Sequence, residues 1–301
     1  MRYNLITILG PTATGKTALA AKLAYEFQGE IISADSRQVY RGMDIGTGKD
    51  LKDYEINGIK IPYHLIDIID PDEEFNLFLF LKDFYNAFRM IRDDKKTPFF
   101  TGGTGLFLDA VLHSYSLKEV QDQGSYTKLN SLPVEELRER LLRLNPKLHN
   151  TTDILEKERI INAIMVAEAR EVSHSIKKEE INSLVIGVNV ERQVVKQRIT
   201  KRLKERLSGG MIEEIKSLVE KGLSYEKLNF FGLEYKLIGL YLQGQLSYND
   251  MYQKLNSAIH EFAKRQMTWF RKMEREGIKI NWIDGPDLEK AREIILKYYF
   301  G

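Results

Sequence analysis

The chain has 301 residues, 43% apolar and 29% charged, a balance that excludes wholesale disorder and leaves room for about two domains. With 45 basic residues against 43 acidic ones the net charge is +2, so a site for a polyanion has to be a local patch. Cysteine is absent, which excludes disulfides, thiolate nucleophiles and cysteine-bound zinc, and no run approaches the ~18 consecutive apolar residues of a membrane span.

Met1-Arg2-Tyr3 leads straight into the apolar run Leu5-Ile6-Thr7-Ile8-Leu9. No small-residue cleavage site follows, so no leader is read and a cytoplasmic location is expected. Strand patterns are expected at 4–9, 30–34, 65–69 and 97–101, alternating with helical patterns at 16–27 and 75–92 and one beginning near Gly103. In the second of these helical stretches Phe75, Phe78, Phe80, Phe84 and Phe88 read as a core-facing stripe. From 113 to 182 no strand pattern stands out, and two charged helices are expected, Val134–Leu144 and Asp153–Glu171. Strand patterns return at 184–188 and 279–283, separated by long amphipathic helices and followed by a helix from Asp287. The expected fold is α/β: a parallel sheet with helices on both faces, built from 1–112 and 183–301 and interrupted by a small helical insertion domain at 113–182.

Gly10-Pro11-Thr12-Ala13-Thr14-Gly15-Lys16-Thr17 fits GxxxxGK[ST] between a strand and a helix. The glycines let successive backbone N–H groups converge on phosphate oxygens, and the helix N-terminus adds partial positive charge. Lys16 can neutralise a terminal phosphate, and the Thr17 hydroxyl can ligate Mg²⁺. Such a match arises by chance in about one chain in a hundred at ordinary glycine usage, so the loop is read as a di- or triphosphate site. Glu30-Ile31-Ile32-Ser33-Ala34-Asp35 places a carboxylate at the carboxyl end of the second strand, the edge that faces the ligand crevice in open α/β sheets. Asp35 reads equally as a cap for a following helix. Its position alone does not separate a hydroxyl acceptor from an amine.

Several further stretches carry a resemblance. Ile32–Asp35 runs on through Ser36-Arg37-Gln38-Val39-Tyr40-Arg41-Gly42-Met43-Asp44-Ile45-Gly46-Thr47-Gly48-Lys49. Then come Pro62-Tyr63-His64-Leu65-Ile66-Asp67 with Asp70-Pro71, Thr101-Gly102-Gly103-Thr104-Gly105-Leu106-Phe107, and Phe262-Ala263-Lys264-Arg265-Gln266-Met267-Thr268-Trp269-Phe270-Arg271. Together with the phosphate loop these resemble the bacterial tRNA dimethylallyltransferases (tRNA isopentenyltransferases, the MiaA family) over most of the chain, most thinly over 113–182. The resemblance implies transfer of a dimethylallyl group from its diphosphate to the exocyclic amine of the adenine beside the anticodon. It implies that Gly10, Pro11, Thr12, Ala13, Thr14, Gly15, Lys16 and Thr17 grip the diphosphate, with Mg²⁺ at Thr17. Asp35, Lys16 and Thr104 form the implied catalytic set, Asp35 accepting a proton from the adenine amine. Asp35, Ser36, Arg37, Gln38 and Thr104 are the implied tRNA contacts in the core, and Glu158, Arg159, Ile160, Ile161 and Asn162 those in the insertion. The implied partners are the anticodon stem–loop of tRNA and dimethylallyl diphosphate, with no membrane, and a monomer is expected.

The chain departs from the family pattern at Asn229, where Asn229-Phe230-Phe231-Gly232-Leu233-Glu234-Tyr235 lacks an arginine expected to help hold diphosphate, so another cation must substitute. Asn162 replaces a second arginine, Ile259-His260 a Thr-Arg pair, and Asn150-Thr151-Thr152-Asp153 a His-Pro-Asn-Asp run. On the helix through 256–273, Ile259, Phe262, Ala263, Gln266, Trp269, Phe270 and Met273 share an inward face. Lys264, Arg265, Thr268, Arg271 and Lys272 lie opposite. The helix after Glu191 has a Val195, Ile199, Leu203 seam with Arg192, Lys196 and Arg202 outside it. These cations read as a solvated face, or with the resemblance as phosphate contacts from Lys264, Arg265 and Arg271 to the anticodon stem. The five histidines show no ligand spacing in the sequence. Rival readings are a P-loop kinase of a small metabolite, an adenylate isopentenyltransferase acting on free nucleotide, and an RNA-binding module without activity.

Overall fold

The computed structural model describes residues 3–115, 129–144, 157, 160–161, 163–164 and 178–301. In chain order the elements are β1 (Leu5–Leu9), α1 (Lys16–Glu26), β2 (Gly29–Ala34), β3 (Glu55–Ile56), β4 (Ile59–Lys60), β5 (Tyr63–His64), α2 (Leu77–Asp93), β6 (Thr97–Gly102), α3 (Gly105–Leu112) and α4 (Val134–Leu144). They continue with β7 (Ser183–Asn189), α5 (Arg192–Ser208), α6 (Met211–Glu220), α7 (Tyr225–Leu228), α8 (Leu233–Leu242), α9 (Tyr248–Arg275), β8 (Ile280–Asp284) and α10 (Leu288–Ile295). The chain divides into two compact units, Met1–Ser114 with Glu179–Gly301, and Tyr115–Lys178.

The larger unit is built on a six-stranded sheet in the order β5-β2-β6-β1-β7-β8. Every pair in it is parallel. β1 lies inside, with Ile6 opposite Phe99 of β6 on one side and Leu184 of β7 on the other. Being covered on both faces, it is apolar but for Thr7 and buried throughout. Successive strand residues point to opposite faces. Phe99 accordingly joins Ile6, Ile8, Leu19, Leu23 and the α10 residues Ala291 and Ile295 in one cluster. Phe100 meets the α2 ring of Phe84, with centroids 4.9 Å apart. Phe80, Phe84 and Phe88 of α2 are fully buried, as the aromatic spacing predicts. Asn76 starts this helix, its side chain accepting from the Leu79 N–H at 3.0 Å. This packing fixes the carboxyl ends of β1, β2 and β6 side by side, where the ligand crevice of such sheets lies.

The apolar run 65–69 is not a strand. Pairing with β2 is confined to Tyr63 and His64. Leu65 and Asp67 take left-handed φ values of 63° and 55°, which breaks the extended path. Asp67 turns to the buried ammonium of Lys49 at 2.5 Å, and Ile69 keeps a single bridge to Tyr40.

In the smaller unit α4 coincides with the expected helix, and its Leu137 and Leu141 pack with Leu129, Ile160, Ile161 and Ile164. Most of the second expected helix, Asp153–Glu171, lies outside the described residues.

Candidate active site

β1 ends at Leu9, and Gly10–Gly15 carries the chain over into α1. Gly15 caps that helix at φ 85°, a left-handed conformation that costs glycine nothing. Ala13 holds φ 65° at the cost a side chain incurs there. Left-handed residues set between right-handed ones turn successive N–H groups to one side, the geometry of an anion nest. Within the loop the Thr14 hydroxyl donates to the Pro11 carbonyl at 2.9 Å, and the Lys16 ammonium folds back toward the same carbonyl at 3.4 Å.

Two elements distant in sequence close on this loop. From α5, the Arg202 guanidinium donates to the Thr12 hydroxyl, and Arg198 reaches the Ala13 carbonyl at 3.5 Å. From α9, buried Gln266 accepts from the Thr12 N–H at 2.8 Å and donates to the Gly103 carbonyl at 2.8 Å, tying the phosphate loop to the β6–α3 turn. Burial lowers the Lys16 ammonium to about 8, with Asp35 opposing the drop and Arg202 adding to it. Burial and the neighbouring Arg206 push Arg202 down to about 10. Burial raises the Glu234 carboxyl, with Arg206 and Arg202 opposing. Cations crowded against one another around a nest of N–H groups form a site that a polyanion stabilises.

Asp35 follows β2 directly, and one of its oxygens accepts from the N–H groups of Arg37 at 2.9 Å and Gln38 at 3.4 Å. The segment it caps is a turn, not a helix. Thr104, the N-cap of α3, accepts from the Ser36 N–H at 3.1 Å while its own N–H donates to the Ala34 carbonyl at 3.1 Å. Asp35, Ser36 and Thr104 therefore stand together at one edge of the sheet. Gln38 passes its amide to the Gly48 carbonyl at 3.2 Å. Gly48 belongs to the loop 43–49, which is knotted in place. Glu214 accepts from the N–H groups of Asp44, Ile45 and Gly46 at 2.9, 2.7 and 3.0 Å, and from the Tyr235 hydroxyl at 2.9 Å. The Lys49 ammonium, fully buried, is held by the Tyr40 carbonyl, Asp44 and Asp67.

The remaining sequence expectations separate. Lys264, Arg265 and Arg271 lie on an exposed face of α9. Lys272 does not stay with them: it pairs with Asp109 at 3.1 Å and Glu276 at 3.5 Å and lies over the Trp269 ring. Phe262, expected inward, is 38% exposed, because α9 is buried only along Met251, Leu255, Ile259, Ala263, Gln266, Phe270 and Met273. Glu158, Arg159 and Asn162 lie outside the described residues. Ile160 and Ile161 are 0% exposed in the core of the smaller unit, which corrects their reading as RNA contacts: their side chains serve packing. Among the described residues spacing did hide one ligand-like group, Asp109, His113 and Glu276, but the Lys272 ammonium already supplies its positive charge. Sequence reasoning left Arg202 in solvent, passed over Arg198 and gave Gln266 no role. Arg198 and Arg202 stand four apart on one helix face, the only local signal that they could act together.

Comparison with known proteins places the whole chain among one group of relatives. The family model described as IPP transferase matches residues 38–273, and one described as isopentenyl transferase matches residues 3–67. The tRNA dimethylallyltransferase 1 of Geotalea uraniireducens is 52% identical over 298 residues, covering 98% of either chain. That of Syntrophus aciditrophicus is 50% identical over 297 residues, covering 97% of either chain. The crystal structure of the full-length tRNA isopentenylpyrophosphate transferase from Bacillus halodurans superposes with a TM-score of 0.70 at 32% identity, covering 99% of this chain and 95% of that one.

Proposed function

The chain belongs to the IPP transferase family, and from that premise we propose that it is a tRNA dimethylallyltransferase. It moves the dimethylallyl group of dimethylallyl diphosphate onto the exocyclic amine of the adenine beside the anticodon and releases diphosphate. The observation that carries the reading is the junction of a cation-ringed phosphate loop with the Asp35–Thr104 edge.

An adenine amine is a weak nucleophile because its lone pair is delocalised into the ring. Asp35 accepts the amine proton as the C–N bond forms, and Thr104 holds the segment that carries Asp35. The allylic carbon parts from diphosphate readily because the developing cation is resonance-stabilised. The chain's largest contribution is then stabilisation of the leaving diphosphate by Lys16, Arg202, Arg198 and the loop N–H groups. Arg202 and Arg198 supply the cations that Asn229 does not. The Thr17 hydroxyl is a hard oxygen that fits Mg²⁺, since among the described residues it is not spent on a protein hydrogen bond. When bound there, Mg²⁺ supplies further neutralisation of the diphosphate.

The target base leaves its stack to reach Asp35, a small cost in a single-stranded loop. Ser36, Arg37 and Gln38 line its approach, Lys264, Arg265 and Arg271 meet stem phosphates, and the insertion adds contacts through Glu158, Arg159 and Asn162. No described helix is long and apolar enough to cross a membrane. The working form is a cytoplasmic monomer. Replacing Asp35 by alanine tests the chemistry: turnover on an anticodon stem–loop should fall by ~10²–10⁴-fold with RNA affinity little changed. Near-normal turnover would remove Asp35 from the proton-accepting role.

A further inference from the structure

Phe230 and Phe231 are neighbours in sequence with opposite surroundings. Phe231 is buried edge-on against Tyr40, with centroids 4.8 Å apart. Phe230 is 45% exposed. Both belong to one short 3-10 turn, Asn229–Phe231, which ends at Gly232, whose φ of 108° is open to glycine and disfavoured for any side chain. Two cations attend the exposed ring: the Arg37 guanidinium carbon lies 5.1 Å and the Lys227 ammonium 5.6 Å from its centroid. Both charges lie over the ring, and the residue still keeps 45% of its surface exposed. Arg37 also connects the ring to the site, because its backbone N–H binds the Asp35 carboxylate at 2.9 Å. Burial lowers the Arg37 guanidinium, with Tyr40, Asp35 and Glu234 opposing the drop.

An exposed aromatic face flanked by cations is the arrangement with which proteins hold single-stranded nucleic acid: the ring stacks a base, and the cations take the adjoining phosphates. We propose that Phe230 is a stacking platform for an unpaired base next to the target adenine, with Arg37 and Lys227 receiving the phosphates on either side. This rests on the reading of the chain as a tRNA-modifying enzyme and assigns the residue beside the missing arginine a role of its own. Asn229 forgoes one cation, and the ring next to it holds the RNA by its π-face.

The test compares the wild type with Phe230→Ala, Phe230→Tyr and Phe230→Leu on an anticodon stem–loop RNA. The alanine variant should raise KM for RNA by about 5–150-fold, the range of base–aromatic stacking, and leave KM for dimethylallyl diphosphate and kcat at saturating RNA unchanged. Tyrosine should restore KM, and leucine, with similar apolar bulk but no ring, should not. An abasic nucleotide on one side of the target adenine should erase the difference between wild type and the alanine variant. An unchanged KM in the alanine variant, or a leucine variant as good as wild type, would overturn the platform. Failure of the wild type to prenylate the RNA would instead overturn the activity, and equilibrium RNA binding by the same variants would then decide the platform separately. A melting temperature common to all four proteins shows that the ring is not acting through the fold.

Discussion

Two basic helices carry comparable positive charge to opposite ends. Along α5, Arg198 and Arg202 turn onto the phosphate loop, and Arg206 onto Asp50 at 3.1 Å. Along α9, Lys264, Arg265 and Arg271 stay in solvent, and Lys264 makes no closer ion pair than 3.7 Å to exposed Glu261. The count of charges on a helix face does not separate the two cases. What separates them is the backbone that passes in front: α5 faces a loop rich in carbonyl and hydroxyl oxygens, for which the planar guanidinium is suited. The depressed Arg202 is the electrostatic trace of that placement, a cation partly stripped of water and waiting for an anion. Exposed lysines carry no such cost and serve long-range attraction.

The sharpest way to break this contrast is Arg202→Ala. Loss of a charged, partly desolvated contact should raise KM for dimethylallyl diphosphate by roughly 10–150-fold and leave KM for RNA nearly unchanged, as steady-state kinetics with each substrate varied would read. Next is pH. Lys16 is cationic below about 8 and neutral above it, so kcat/KM for the donor should decline by up to about tenfold per pH unit beyond that point. A flat profile to pH 9.5 would remove Lys16 from the anion site. Gln266→Ala, which inverts the contrast by testing the one polar residue that α9 buries, leaves the Thr12 N–H and Gly103 carbonyl unpaired. A melting temperature lower by roughly 2–8 °C is expected by calorimetry. Smallest are Lys264→Ala and Arg271→Ala, each expected to weaken RNA binding a few-fold and to reduce the slope of log affinity against log salt by about one. An unchanged slope would return that face to bulk solvent.

Legibility in the sequence followed the range of the interactions. The phosphate loop is a local device whose residues are contiguous, so Gly10–Thr17, its strand and its helix could be read directly, as could the Phe80, Phe84 and Phe88 face of α2. Asp35 was legible as a strand-end carboxylate, but not the tie of its neighbour Ser36 to Thr104, which spans 68 residues and depends on β2 and β6 being neighbours. Arg202 and Gln266 were illegible for the same reason at longer range, 190 and 254 residues from Thr12. Periodicity failed at 65–69, where a buried ion pair between Lys49 and Asp67 outweighs an apolar run, and at Phe262, where a helical stripe says which face is apolar but not where the neighbouring elements stop. Glu214 illustrates a third kind of miss. An acidic residue on an amphipathic helix looks solvated until the N–H groups of Asp44, Ile45 and Gly46 are found converging on it.

The central claim is that the cation-ringed loop holds a prenyl diphosphate beside a carboxylate that receives an adenine amine. Mass spectrometry of an anticodon stem–loop RNA incubated with the protein, Mg²⁺ and dimethylallyl diphosphate tests it directly, with AMP and ATP as parallel acceptors. The account predicts a gain of one dimethylallyl unit on the adenine beside the anticodon and none on either nucleotide. Prenylation of AMP alone, or consumption of ATP with the RNA unchanged, would contradict it.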